Sequence, residues 1–268
     1  MNRGLYAACS AMLVQETNLD VVANNLANVD TVGFRKRVSA NSDFNALMER
    51  FEKISEDGET KMVTYPPFTM NWRGKQVLGN MSLASIYSQS FMDTQPGIIK
   101  TTDAPFDVAI DGPGFFAVED GAGNTLYTRQ GNFVVGPDGN LVTNDGMTLQ
   151  GDGGPIAIAE GSSAEILGNG QVLADGELVG QLTLYTFENA TYLRQVGRNY
   201  LALNNDSGNP VPVEEIRLLT GALESSNVSV VEEMVRMIEA QRAYEGASKA
   251  LMTHDEVTGK LISSFGKQ

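Results

Sequence analysis

The chain of 268 residues carries 19 Lys and Arg against 33 Asp and Glu, a formal charge of −14, and 42% of it is hydrophobic. That balance excludes a wholly disordered protein and argues against nucleic acid or an anionic membrane as the main partner, since both are bound through basic side chains. One Cys and one His exclude an internal disulfide, a Cys-based zinc site and a His/His metal pair.

The first element is a helix. Leu5, Ala8, Met12, Gln15, Leu19, Val22, Leu26 and Val29 follow one another at alternating spacings of 3 and 4, an a/d seam with one polar member. Gly33, after Asp30-Thr31-Val32, is the expected stop. Asn24, Asn25 and Asn28 crowd its end, and middling helix formers there suggest amides bonded beyond the helix. The apolar run Leu5–Val14 is about 10 residues, against ~20 for a bilayer span, so no membrane insertion is expected. Only eight residues precede Cys9, too few for an apolar export region, and any export is expected to leave this end uncleaved.

Residues 38–96 read as a linker and extended segment: Lys53 to Thr64 is charged and turn-prone, and Pro66-Pro67 breaks any helix. Residues 97–221 read as β. Phe106-Asp-Val-Ala-Ile110 alternates, Gly112-Pro113-Gly114 turns the chain, and short apolar runs alternate with Asp120-Gly121, Asp138-Gly139, Asp145-Gly146, Asn169-Gly170 and Asp175-Gly176. Asp-Gly and Asn-Gly between β-branched runs are strong hairpin signals. Their spacing predicts an antiparallel sandwich or partly closed barrel.

The last element is again a helix. Ser225-Ser226-Asn227 supplies caps, and Ser229 with Glu232 fits a capping box. Val230, Met234, Met237, Gln241, Tyr244, Ala247, Leu251, His254, Thr258, Leu261 and Phe265 keep the 3/4 spacing, with Val231, Val235 and Ile238 widening the first turns. The fold class expected is therefore α+β. Residues 1–37 and 222–268 form a terminal coiled-coil assembly domain, 38–96 a linker, and 97–221 an outer β domain.

No constellation specifies catalysis, and no cofactor, metal or catalytic residue is expected. His254 lacks a partner and reads as a packed seam residue, Cys9 as a small packed residue in an Ala-rich helix, and Trp72 as partly buried core. The Asp138 run fails the calcium-loop pattern, with Val142 and Thr143 where an oxygen ligand and Gly are needed. The glycine turns are not phosphate loops, since no Lys-Ser/Thr follows. What stands out is two regular seams at opposite ends of the chain. In a monomer at least one would stay exposed, and assembly covers it. Head-to-tail contacts that do not close give a helical tube.

The stretch Asn24-Asn25-Leu26-Ala27-Asn28, then Thr31, Gly33, Phe34 and Arg35-Lys36, resembles the N-terminal signature of the bacterial flagellar rod and hook proteins. The run Gly221–Glu245, with Val231, Met234, Gln241 and Tyr244, resembles their C-terminal signature. Between them Asp107, Gly112, Gly114, Phe115 and Phe116, then Tyr127, Arg129, Gly131 and Phe133, fit the same family. Within it the two ends are most like the proximal rod member, with the distal member next and a hook-type subunit less so. The resemblance implies a non-enzymatic axial subunit of the flagellar basal body. It would be exported unprocessed by the flagellar type III apparatus into the periplasmic rod. Its partners would be copies of itself and neighbouring rod proteins, with the helices lining the export channel. The Asn24, Asn25 and Asn28 amides would then bond between subunits or cap the helix. The alternative outside the family is a binding or enzymatic β protein on a coiled-coil oligomerisation stalk.

Overall fold

The computed structural model describes residues 3–43, 62–65, 68–71, 85–159 and 162–265. The architecture is α+β, with a helix near each end and antiparallel sheets between. Helix α1 spans Arg3–Ala27 and helix α2 spans Val230–Phe265, 36 residues, or ~54 Å at ~1.5 Å per residue. The chain divides into two compact units. One comprises Met1–Val21, Ser39–Ser90 and Val235–Gln268, the other Val22–Val38 and Phe91–Met234.

The second unit holds the β body. Its largest sheet has 10 strands, ordered Arg194–Val196, Tyr200–Ala202, Thr125–Thr128, Phe115–Glu119, Thr148–Gly151, Leu141–Thr143, Phe133–Val135, with three short strands on the side. The order is open at both ends, so among the described residues the sheet does not close into a barrel. The three-stranded sheet Ala164–Ile166, Gln171–Ala174, Glu177–Gln181 and the pair Val108–Ile110 with Leu218–Thr220 complete the core.

Strand Phe115–Glu119 shows why the body holds together. Side chains alternate across a strand. Here Phe116 and Val118 enter the main cluster with Val108, Leu141 and Leu182, while Phe115 and Ala117 enter a second cluster with Tyr127, Phe187 and Leu201. A strand buried on both faces must be apolar at every position, and Phe-Phe-Ala-Val is. Phe116 meets Phe133 edge-on, with centroids 5.2 Å apart. Val108, Ala109 and Ile110 are likewise all buried, so the alternation read at 106–110 does not separate an inner from an outer face. Four of the five turns follow their sequence signal: the Gly of Asp138-Gly139, Asp145-Gly146, Asn169-Gly170 and Asp175-Gly176 has φ of 77°, 84°, 85° and 86°, as hairpin turns require. In the turn at Asp120-Gly121 the positive φ falls on Gly123 instead, at 84°.

The stretch read as linker is more structured than its composition implies. Met62–Tyr65 pairs antiparallel with Phe68–Asn71. Arg37–Asp43 pairs with Ser85–Met92. Trp72, Pro66-Pro67 themselves and residues 44–61 lie outside the described residues.

Truncating Phe116 to Ala should cost about 3–5 kcal/mol, the range for large-to-Ala changes in a core. Val134→Ala, at a residue 44% exposed, should cost under ~0.5 kcal/mol. Urea unfolding of the two variants measures the contrast.

Candidate assembly site

The turn that follows α1 is held by the β-body unit through side chains of the N-terminal motif. Asn25 is 1% exposed. Its Oδ1 accepts the Arg37 amide N–H at 2.9 Å and its Nδ2 donates to the Arg37 carbonyl at 2.8 Å and to Glu233 Oε2 at 3.1 Å. Asn28 Nδ2 donates to the Asn24 carbonyl at 2.8 Å, satisfying one of the carbonyls that a helix end leaves open. Its Oδ1 accepts from Thr31 at 3.2 Å. Asn24 stays exposed. The amides of Asn25 and Asn28 are thus spent within the chain, Asn28 on the helix end and Asn25 on a strand and on α2.

Gly33 has φ of 70°, and a Cβ there would stand 2.4 Å from the Arg129 carbonyl carbon. Its amide donates to the Glu224 carbonyl at 2.8 Å. Of the residue types only glycine tolerates both that backbone angle and that approach. Phe34 beside it is 1% exposed. Asn199 Nδ2 donates to the Val32 carbonyl at 3.1 Å, and Asn227 Oδ1 accepts the Lys36 amide at 2.7 Å.

At the centre sits Glu224, 2% exposed, at the end of strand Ala222–Glu224. Its Oε1 takes Arg35 Nη2 at 2.6 Å and the Gly97 amide at 2.9 Å, and its Oε2 takes Arg129 Nη1 at 3.1 Å. Arg129 Nη2 reaches the Gly112 carbonyl at 2.7 Å, and its guanidinium lies 5.3 Å from the Phe115 ring centre. Burial pulls Arg35 down to about 10, against the opposing pull of Glu224. Burial also lowers Arg129. The cost of burying the two guanidiniums is offset by the Glu224 carboxylate they share.

The β-domain motif residues mostly serve closure of the same unit. Phe115, Phe116, Tyr127 and Phe133 are core. A Cβ on Gly131 would stand 1.7 Å from the Val108 carbonyl oxygen. Gly112 and Gly114 carry φ of 142° and 129°. Asp107 Oδ2 accepts Thr102 Oγ1 at 2.6 Å.

On α1, Ala8 and Val22 are buried and Leu5, Met12, Gln15, Leu19 and Leu26 half-buried, while half-buried Val29 lies in the turn beyond the helix end at Ala27. Val14 and Asn25, off that seam, are buried as well. On α2 the inward stripe differs from the apolar count. Glu233 and Ala240 are buried and Met237, Tyr244 and Leu251 half-buried, while Val230, Val231, Met234, Ile238 and Gln241 are exposed. Cys9 is exposed, not packed as its Ala-rich setting suggests, because it stands about 100° round the helix from buried Ala8. His254 is exposed, with its imidazole edge over Gly4, where a Cβ would meet Nε2 at 2.5 Å. Among the described residues no group of His, Cys, Asp or Glu could hold a metal, and no helix is long and apolar enough to cross a membrane. Nothing in the sequence marks Glu224 as the partner of Arg35 and Arg129, since the motif blocks carry several other acids and bases.

Two substitutions probe this clasp. Glu224→Gln leaves two buried guanidiniums without a counter-charge and should cost about 3–5 kcal/mol. Gly33→Ala should cost roughly 2 kcal/mol or more through its backbone angle and the clash. Chemical denaturation followed by tyrosine fluorescence measures both.

The comparisons with known proteins follow the same blocks. Three family models match: "Flagella basal body rod protein" over residues 5–35, "Flagellar hook protein FlgE/F/G D1 domain" over 109–174, and "Flagellar basal body rod FlgEFG protein C-terminal" over 219–264. The flagellar basal-body rod protein FlgG of Bacillus subtilis is 34% identical over 279 residues, covering 98% of this chain and 99% of that one. The FlgG of Buchnera aphidicola from Schizaphis graminum is 34% identical, covering 96% and 97%. The rod protein FlgF of Caulobacter vibrioides is 30% identical, covering 100% and 99%. By these identities over essentially its whole length, the chain belongs to the flagellar basal-body rod protein family.

Proposed function

We propose that this chain is a structural, non-catalytic subunit of the bacterial flagellar rod, assembling head to tail into a helical tube that transmits torque and encloses the export channel. The observation that carries the reading is the face of α2 left uncovered. Val231, Met234, Val235 and Ile238 are 72%, 51%, 50% and 52% exposed. They stand at i, i+3, i+4 and i+7, one face of a helix. A contiguous apolar face of this kind marks a surface meant to be covered, and in a self-assembling subunit a neighbouring copy covers it.

In this reading residues 1–37 and 222–268 form the inner coiled-coil domain, residues 38–96 join it to the body, and 97–221 face outward. Two helix contacts support antiparallel pairing of α1 with α2. His254 lies over Gly4, and Glu233 bonds Asn25. From Gly4 to Asn25 is the same count as from Glu233 to His254, as antiparallel packing requires. The inner domain takes the seam positions of α1 and, on α2, Met237, Tyr244 and Leu251. The exposed Val230, Val231, Met234, Ile238 and Gln241 meet the next copy.

Neighbouring rod proteins and the flagellar type III export apparatus are the remaining partners. The chain would reach the periplasmic rod without a cleaved signal peptide, and it needs neither nucleic acid nor membrane insertion. Its ends favour a proximal place in the rod, while FlgG relatives support a distal one. Electron microscopy of basal bodies from a deletion strain separates the two. A rod missing from near its base supports the proximal place, one missing only its outer part the distal place, and an intact rod and hook overturn the proposal.

Ile238→Asp tests the docking face directly. The residue is half exposed, so stability should change by under ~1 kcal/mol, while polymerisation of the purified chain, followed by light scattering, should be lost. Wild-type polymerisation by this variant would refute the role given to that face.

A further inference from the structure

One concavity of the β-body unit collects positive charge in an acidic protein. Arg35, Arg37, Arg129 and Arg198 line it together with Gln195 and Asn199, and no carboxylate does. Below it, Arg35 and Arg129 share the carboxylate of Glu224, and Asp93, the other acid acting on Arg35, is itself paired with Lys36, so counting Lys36 the cations of this cluster outnumber its carboxylates by one. Arg129 is 7% exposed, and its Nε is buried without a hydrogen-bond partner. Arg37 Nη1 donates to Gln195 Oε1 at 3.3 Å. Arg198 stands exposed at the rim, and its guanidinium makes no hydrogen bond or ion pair among the described residues. Phe115 and Leu193 add apolar wall, which weakens solvent screening inside.

We propose that this concavity is a carboxylate-recognition site, filled in the assembled state by an Asp or Glu side chain of a second copy of the chain. A surplus buried cation is costly unless an anion completes it, and arginine's planar fork suits a carboxylate held by two parallel hydrogen bonds. Charge complementarity names the occupant. Each copy carries 33 acidic against 19 basic side chains, so the neighbouring surface is rich in the required group. A net charge of −14 repels a polyanion such as nucleic acid at long range, whereas one side chain presented at short range meets mainly the local field. The inference rests on the self-assembly reading and gives it a polar anchor separate from the apolar face of α2.

The test uses the full chain. Arg198→Glu lies at the rim, outside the core, and should fold as the parent does by circular dichroism. Its critical concentration for polymerisation should rise at least tenfold, and the salt dependence of assembly should flatten, since one ion pair between copies is lost. Arg198→Lys, which keeps the charge, should recover most of the loss. Co-assembly of Arg198→Glu with a panel of Asp→Arg and Glu→Arg copies should restore polymerisation for one position and so identify the donor. If Arg198→Glu polymerises at the wild-type concentration, the proposal fails while the rod reading stands. If the wild-type chain does not polymerise at all, both fail. A thermal shift of the monomer in sodium phosphate or sodium acetate that Arg198→Glu abolishes, with polymerisation unchanged, would assign the site to a free small anion and overturn the role given to the second copy.

Discussion

Glu224 is where three distant stretches of the chain are held at once. Arg35 comes from the turn after α1, Arg129 follows the strand Thr125–Thr128, and Glu224 itself leads into α2. One carboxylate is enough because every donor around it is aimed: two guanidiniums and the Gly97 amide, with Arg129 itself steadied by donating to the Gly112 carbonyl. The turn at Gly33, the buried Phe34 and the pairing of Asn25 with the backbone of Arg37 lie on either side of Arg35 in the chain, so its ion pair holds the segment that carries them. Without that anchor the outgoing end of α1 and the incoming end of α2 would lose their common fixed point.

The family motif thereby acquires a physical meaning different from direct contact between subunits. Asn25 and Asn28 act inside the chain, and Gly33 is there because an added Cβ would strike the Arg129 backbone. In the β body Phe115, Phe116, Tyr127 and Phe133 fill two cores on either side of one strand. Most of these residues shape the inside of the β-body unit, while Val235, Ile238 and Arg198 stay exposed on its outside or on α2.

Both helices are legible in the sequence because a 3/4 spacing maintained over many turns has no other simple reading. The strands are legible where Asp-Gly and Asn-Gly turns bracket them. The inward face of α2 is not legible. Apolar content favours Val230 and Met234, yet Glu233 is the buried residue, because Asn25 offers it a hydrogen bond that only a structure reveals. A charged residue inside is a decision made by its partner, and partners distant in sequence leave no periodic trace. The strand pairs at 37–43 with 85–92 and at 62–65 with 68–71 were hidden for a similar reason: charged, turn-rich composition masks short strands that rely on each other. Of the expected antiparallel sandwich or partly closed barrel, the antiparallel sheets are present but no closure is among the described residues, because turn spacing reports hairpins and says nothing of whether the two edge strands meet.

The Arg35–Glu224 pair also sets an order of events. Its two members stand 189 residues apart, and closing a loop of that size costs roughly 4–5 kcal/mol in chain entropy. Contacts of such long range form late, after local hairpins have shortened the effective distance. A chain still emerging from its start therefore cannot fix the turn after α1, however complete that first helix is, until the strand carrying Glu224 has arrived. The subunit's two ends mature together, and an incomplete chain lacks the anchor that would hold its first helix in place.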